Sequence, residues 1–124
     1  MSTPPPATVA PPLVSLDDIR AAAERVRGAA LRTPVLRLPW PGPAPAHEFW
    51  IKCENLQPMG AFKVRGATNM LAQLPEDARA RGVITYSSGN HGQGVAMAAQ
   101  AMGMRAVIVM PTTAPAVKVD GVRS

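Results

Sequence analysis

Three short apolar runs are each followed by a stretch with helical spacing, and that alternation admits few architectures. Residues Glu48–Glu54, with Phe49, Trp50 and Ile51 inside, read as a strand. The loop Asn55–Ala61 holds Pro58 and Gly60. It leads into a helix over Phe62–Leu74, where Val64, Ala67, Leu71 and Leu74 share one side before Pro75 ends it. Gly82–Tyr86 is a second strand and Ser87–His91 a polar loop. Gly92–Met102 is a second helix, with Val95, Ala98, Ala99 and Met102 aligned. Arg105–Met110 is a continuously apolar strand of the buried kind. Pro111–Ala114 is a turn, and Pro115 suits the first position of a further helix. Strand, helix, strand, helix, strand, helix predicts an α/β layer: a mostly parallel sheet with flanking helices.

The chain before this alternation is less regular. Residues 1–14 contain five prolines, which fix φ and donate no backbone hydrogen bond, so a disordered leader is expected there. That leader lacks the basic start and apolar core of a secretory signal, and a cytoplasmic location follows as an expectation. Order should begin at Ser15, which can cap a helix over Leu16–Gly28 with Asp17 and Asp18 in its first turn. Ile19, Ala22, Ala23 and Val26 fall on one face of it. Thr33–Leu38 reads as extended, and the prolines at 39, 41, 43 and 45 make Pro39–Ala46 a loop.

Composition removes several classes of function. A hydrophobic fraction of 47% argues against disorder throughout, and no apolar run reaches the roughly 20 residues of a membrane span. The single cysteine, Cys53, excludes a disulfide framework and a cysteine-based zinc site, and no other metal site is expected. The net charge is +5, but the ten arginines are spread from Arg20 to Arg123 without a dense block, and aromatics make up only 4%. A nucleic-acid partner is therefore not expected.

Two loops carry the chemistry. In Asn55–Ala67, a glycine-bearing loop enters a helix with Lys63 and Arg65 in its first turn. A helix start is already partly positive, so two cations there are unfavourable unless an anion answers them or one amine is neutral and nucleophilic. The plainer reading is two solvated surface cations. In Tyr86–Gly94, serine hydroxyls, an asparagine amide and helix-start N–H groups crowd one strand-to-helix connection, which suits a carboxylate or phosphate. The plainer reading there is a capped turn. Open α/β sheets bind ligands at the carboxyl ends of their strands, where this loop would lie. His91 has no histidine or acid at metal or triad spacing, since His47 lies in the proline loop.

Together the segments Lys52–Ala67, Tyr86–Gln93 and Val109–Pro111, with Ala114, Pro115 and Lys118, closely resemble the amino-terminal part of threonine/serine dehydratases and serine racemases. These are fold-type II pyridoxal-phosphate enzymes. The resemblance extends from Ser15 to Ser124 in both order and spacing. It implies that Lys63 carries pyridoxal phosphate as a Schiff base, that Phe62 packs against the cofactor ring, and that Asn90 hydrogen-bonds its phenolic oxygen. It implies that Ser87, Ser88, Gly89, Asn90 and His91 hold the substrate carboxylate, with Ser88 as the acid/base opposite Lys63. The implied reaction is α,β-elimination of L-threonine or L-serine to a 2-oxo acid and ammonia, by a protein that is a homodimer at full length. Serine racemisation, another fold-type II chemistry, and an inactive truncated remnant are the alternatives.

The pattern departs from many relatives at Met59-Gly60-Ala61, where Thr-Gly-Ser is common. The family's glycine-rich phosphate cup, its partner for the pyridine nitrogen and its cation-binding acids all lie beyond position 124. Residues 15–124 are thus expected to be the amino-terminal portion of a two-domain enzyme, incomplete at the C-terminus, with residues from about 82 onward in the small domain. Alone they are expected to bind the cofactor poorly.

Overall fold

The computed structural model describes residues 13–39, 42 and 47–123. The proline-rich leader over 1–12 and most of the Pro39–Ala46 loop therefore lie outside the described residues. Helix α1 (Leu16–Arg25) starts as anticipated. The Ser15 hydroxyl accepts from the Asp18 N–H at 3.1 Å, and the Asp18 carboxylate accepts in return from the Ser15 N–H at 2.9 Å. The helix ends three residues earlier than expected, and Gly28 turns the chain with φ 83°. Its apolar face finds little to cover: Ile19 is 57% exposed and no residue of α1 is buried. A hydrogen bond from Arg25 Nε to Asn69 Oδ1, 2.7 Å, ties it to the next helix.

Strands β1 (Val35–Arg37) and β2 (Trp50–Lys52) form an antiparallel ribbon, with Val35 opposite Lys52 and Arg37 opposite Trp50. A short 3-10 turn, Glu54–Leu56, and the loop after it lead into α2 (Lys63–Leu71). Helix α3 (Glu76–Arg81) was not anticipated. It has too few apolar residues to show a period, and its marks are electrostatic: Glu76 and Asp77 in the first turn, Arg79 and Arg81 in the last.

The expected parallel sheet is present as β3 (Val83–Tyr86) and β4 (Ala106–Val109), in register Val83–Ala106 through Tyr86–Val109. Helix α4 (Asn90–Ala101) crosses between the two strands, and α5 (Ala116–Arg123) follows β4, with Pro115 accepting from the Lys118 and Val119 N–H groups. The antiparallel β1–β2 ribbon is a separate sheet. The continuously apolar sequence of β4 predicts burial on both faces, but the burial alternates. Ala106 and Ile108 face α4, while Val107 and Val109 are half exposed beside the exposed Ile84 and Tyr86 of β3. Among the described residues, no helix is long and apolar enough to cross a membrane.

The core lies between α2, α4 and one face of β3–β4: Ala67 and Leu71 meet Val95, Ala98 and Ala99, with Val83, Ala106 and Ile108 packed beneath. Helix α4 therefore touches a helix on one side and a sheet on the other, and its small residues follow from that. A Cβ on Gly92 would stand 2.9 Å from Ile108 Cγ2 and 3.3 Å from the Ser87 Cβ and carbonyl oxygen. The Gly92→Ala substitution should accordingly destabilise the protein by about 1–3 kcal/mol through overpacking, read as a lower urea midpoint. An unchanged midpoint would contradict this close approach of α4 to the sheet.

Candidate active site

The approach to Lys63 is built from polar contacts. Gln57, Pro58, Met59 and Gly60 form a turn closed by a 2.7 Å bond from the Gly60 N–H to the Gln57 carbonyl. Proline in the second position supplies the required φ, and Gly60 sits at φ 74°. The Gln57 side chain is buried, and its amide pairs with the backbone of Leu31 in both directions at 2.9 Å. Its Nε2 also reaches Glu54 Oε2 at 3.2 Å.

Glu54 is the centre of this network. Arg65 binds it through two nitrogens, Nε at 2.7 Å and Nη2 at 2.9 Å, and Thr33 donates its hydroxyl at 2.5 Å. Arg65 Nη2 also donates to the Leu31 carbonyl at 2.7 Å. The Glu54 side chain is only 18% exposed. The Arg65 guanidinium first, then the Thr33 hydroxyl, hold its carboxyl down at about 2 against the opposing effect of burial. The same hydrogen bonds hold the Arg65 guanidinium above its ordinary value. The conflict at the start of α2 is thus resolved by an anion, and Arg65 is not a solvated surface cation.

Lys63, the first residue of α2, is half-buried, with its Nζ 4.8 Å from the centroid of the Phe62 ring. Phe62 is 57% exposed. Gly94 of α4 sets the position of Lys63: a Cβ there would stand 3.2 Å from the Lys63 carbonyl carbon and oxygen and 3.3 Å from its Cβ. The first residue of α2 therefore meets α4 at its fifth residue. The connection from β3 to α4 is shorter than expected, because Asn90 and His91 belong to the first turn of α4 and Gly89 is its cap. Ser87 continues the parallel pairing through its N–H to Val109 O at 3.0 Å, and its hydroxyl accepts from the Gly89 N–H at 3.2 Å. Ser88 is exposed at the tip. The His91 ring lies 3.2 Å from the Thr85 hydroxyl, and Asn90 Oδ1 accepts from Lys118 Nζ at 2.6 Å.

The structure thus brings the helix start carrying Phe62 and Lys63 to the helix start that follows Ser87, Ser88 and Gly89. A cavity of about 990 Å³ lies between α4, β4, α5 and the Pro58–Met59 turn, lined by Met59, Gln93, Met97, Met104, Ile108 and Met110 among others but by neither Lys63 nor Ser87–His91. The sequence pattern alone does not mark Glu54, Gln57 and Thr33 as neighbours of Lys63. A signal for an acid was available, since two cations on a helix start call for one nearby. A buried amide such as Gln57 leaves no periodic mark in the sequence.

An amine with an exposed aromatic ring beside it, and an amide and hydroxyls on the adjoining turn, thus lie at two neighbouring helix starts. A family model described as pyridoxal-phosphate dependent enzyme matches residues 26–124, and the chain belongs to that family. It is 50% identical over 111 residues to an L-threo-3-hydroxyaspartate ammonia-lyase of Pseudomonas sp, covering 90% of this chain and 35% of that protein. It is 42% identical over 112 residues to an L-threonine ammonia-lyase of Thermotoga maritima, covering 90% of this chain and 28% of that protein. The structure of maize serine racemase superposes with a TM-score of 0.75 at 38% identity, covering 87% of this chain and 33% of that one. The chain spans about a third of the length of these relatives. Its α/β fold is that of fold-type II members of the family, and its donor set fits the cofactor that the family uses.

The depressed Glu54 carboxyl has a consequence for stability. It contributes stability above the ordinary value of 4.5, and that contribution is lost as pH falls from 4.5 towards about 2. Glu54→Gln should lower the urea midpoint at pH 7, and the gap from the parent protein should close across that window. A gap independent of pH would mean that the Glu54 charge does not carry the network.

Proposed function

We propose that the full-length protein is a pyridoxal-phosphate-dependent ammonia-lyase that converts a small β-hydroxy amino acid, L-threonine or L-serine, to a 2-oxo acid and ammonia. The observation that carries this reading is the seat of Lys63 on Gly94, beside the donor-rich start of α4. Relatives named for L-threo-3-hydroxyaspartate and L-threonine support the substrate class.

In this reading Lys63 holds the cofactor covalently, Phe62 packs against its ring and Asn90 donates its amide to the phenolic oxygen. When bound, the cofactor supplies an electron sink for the pair left at the α-carbon. Ser87, Ser88, Gly89, Asn90 and His91 hold the substrate carboxylate with hydroxyls and N–H groups, where the helix start favours an anion. With the substrate in place Lys63 is a free amine and accepts the α-proton on Nζ. The β-hydroxyl leaves as water, and water is taken up where the carbon–nitrogen bond breaks, so the 2-oxo acid and ammonia balance the amino acid consumed.

Racemisation of serine is a second reading, favoured by the likeness to maize serine racemase and by the exposed Ser88 hydroxyl. There Ser88 moves a proton on the face opposite Lys63. We place the protein in the cytoplasm as a homodimer; the free thiol of Cys53 supports the compartment, and the dehydratase resemblance supports the dimer.

Lys63→Ala should abolish both the visible absorbance of the loaded protein and 2-oxo acid release, and borohydride trapping should label the peptide bearing Lys63. A label on another lysine would overturn the assignment. Ser88→Ala should lower racemisation of serine by roughly the 100-fold expected for loss of an acid/base, with a smaller effect on elimination of the L-substrate. Equal losses would remove Ser88 from the second face.

A further inference from the structure

Helix α5 packs on α4, with Gly121 against the end of the Gln93 side chain. Three residues earlier on each helix, Lys118 meets Asn90, and Lys118 Nζ donates to Asn90 Oδ1 at 2.6 Å. The turn after β4, closed by the Ala114 N–H on the Pro111 carbonyl at 3.0 Å, delivers α5 to this place.

This contact has a specific chemical effect. An asparagine amide turned by 180° exchanges an acceptor for a donor, and the two forms differ little in shape. A lysine ammonium has three donors and no acceptor, so it accepts only one of the two orientations. With Oδ1 held by Lys118, the group Asn90 presents elsewhere is its NH₂. The adjoining positive charge also polarises the amide and strengthens those N–H donors.

We propose that Lys118 is a positioning residue that fixes the Asn90 amide as a hydrogen-bond donor towards an anionic oxygen of the cofactor. This rests on the reading of Asn90 as a cofactor contact. It assigns to α5, outside the two chemistry-bearing loops, control over the orientation of a group in one of them.

The test uses the full-length protein with pyridoxal phosphate as the probe, and reads the cofactor dissociation constant, the position of the visible absorption band and the melting temperature. Lys118→Met should weaken cofactor binding by about tenfold and move the band, as expected for loss of one charge-assisted hydrogen bond. Lys118→Arg, which also only donates, should restore most of both. Asn90→Ala should reproduce the Lys118→Met effects, and the double variant should show no further loss, because the two residues act as one unit. If Lys118→Met leaves affinity and band unchanged while Asn90→Ala alters them, the positioning role is overturned and the Asn90 contact stands. Additive losses in the double variant would likewise overturn it, since Lys118 would then act without Asn90. If neither variant alters affinity or band, the Asn90 contact itself fails. Should Lys118→Met not fold, Lys118→Arg against Asn90→Ala carries the same comparison: an arginine variant that binds as weakly as Asn90→Ala, at an unchanged melting temperature, would overturn the proposal.

Discussion

Arg65 stands two residues after Lys63, in a helical turn whose partial positive charge opposes cations, and the pairing of Arg65 with Glu54 makes that turn tenable. The carboxylate takes two guanidinium nitrogens in a fork that a lysine could not match. It also takes the Thr33 hydroxyl and the Gln57 amide, so one acid joins the chain before β1, the turn before α2 and α2 itself. Gln57 and Arg65 then share the Leu31 carbonyl. An irregular loop is thereby tied to α2 next to Lys63.

The second constraint is steric and comes from α4. Burying a helix between a sheet and another helix requires side chains that take little room on both sides. Gly92 admits the sheet and Gly94 admits α2, while Val95, Ala98 and Ala99 fill the core. This packing brings two helix starts together, and helix starts are where backbone N–H groups lack partners of their own. Backbone donors and the Lys63 amine thus arise side by side as a consequence of how the layers pack.

Much of this was legible in the residues. The alternation from position 48 onward gave the α/β class, and the order of Lys63, Ser87–His91 and Lys118 carried the family resemblance, because spacing along the chain reports which loops precede which helices. Other features were not legible, each for a definable reason. Helix α3 is too short to show a period. The β4 run is uniformly apolar, so the alternating burial of Ala106–Val109 is set by what covers each face. Asn90 and His91 are polar like the loop before them, yet belong to α4, because Gly89 can cap a helix without a side-chain hydrogen bond. The buried amide of Gln57 depends on Leu31, 26 residues away, and no local pattern contains that distance.

The lysines of the chain bear on which amine does the chemistry. There are three, against ten arginines, and only a lysine amine can condense with a carbonyl, because a guanidinium remains protonated and delocalised. Lys52 Nζ donates to the Thr33 carbonyl at 2.6 Å, beneath the Glu54 network, and Lys118 Nζ donates to Asn90 at the same distance. Each of these ammonium groups is engaged by an oxygen. Lys63 lies instead over the Phe62 ring, with no fixed acceptor among the described residues, and that attraction is weak at an exposed face. Condensation at Lys52 or Lys118 would strip a hydrogen bond from the scaffold that shapes the site, whereas condensation at Lys63 leaves the scaffold intact. That difference supports the proposed role of Lys63.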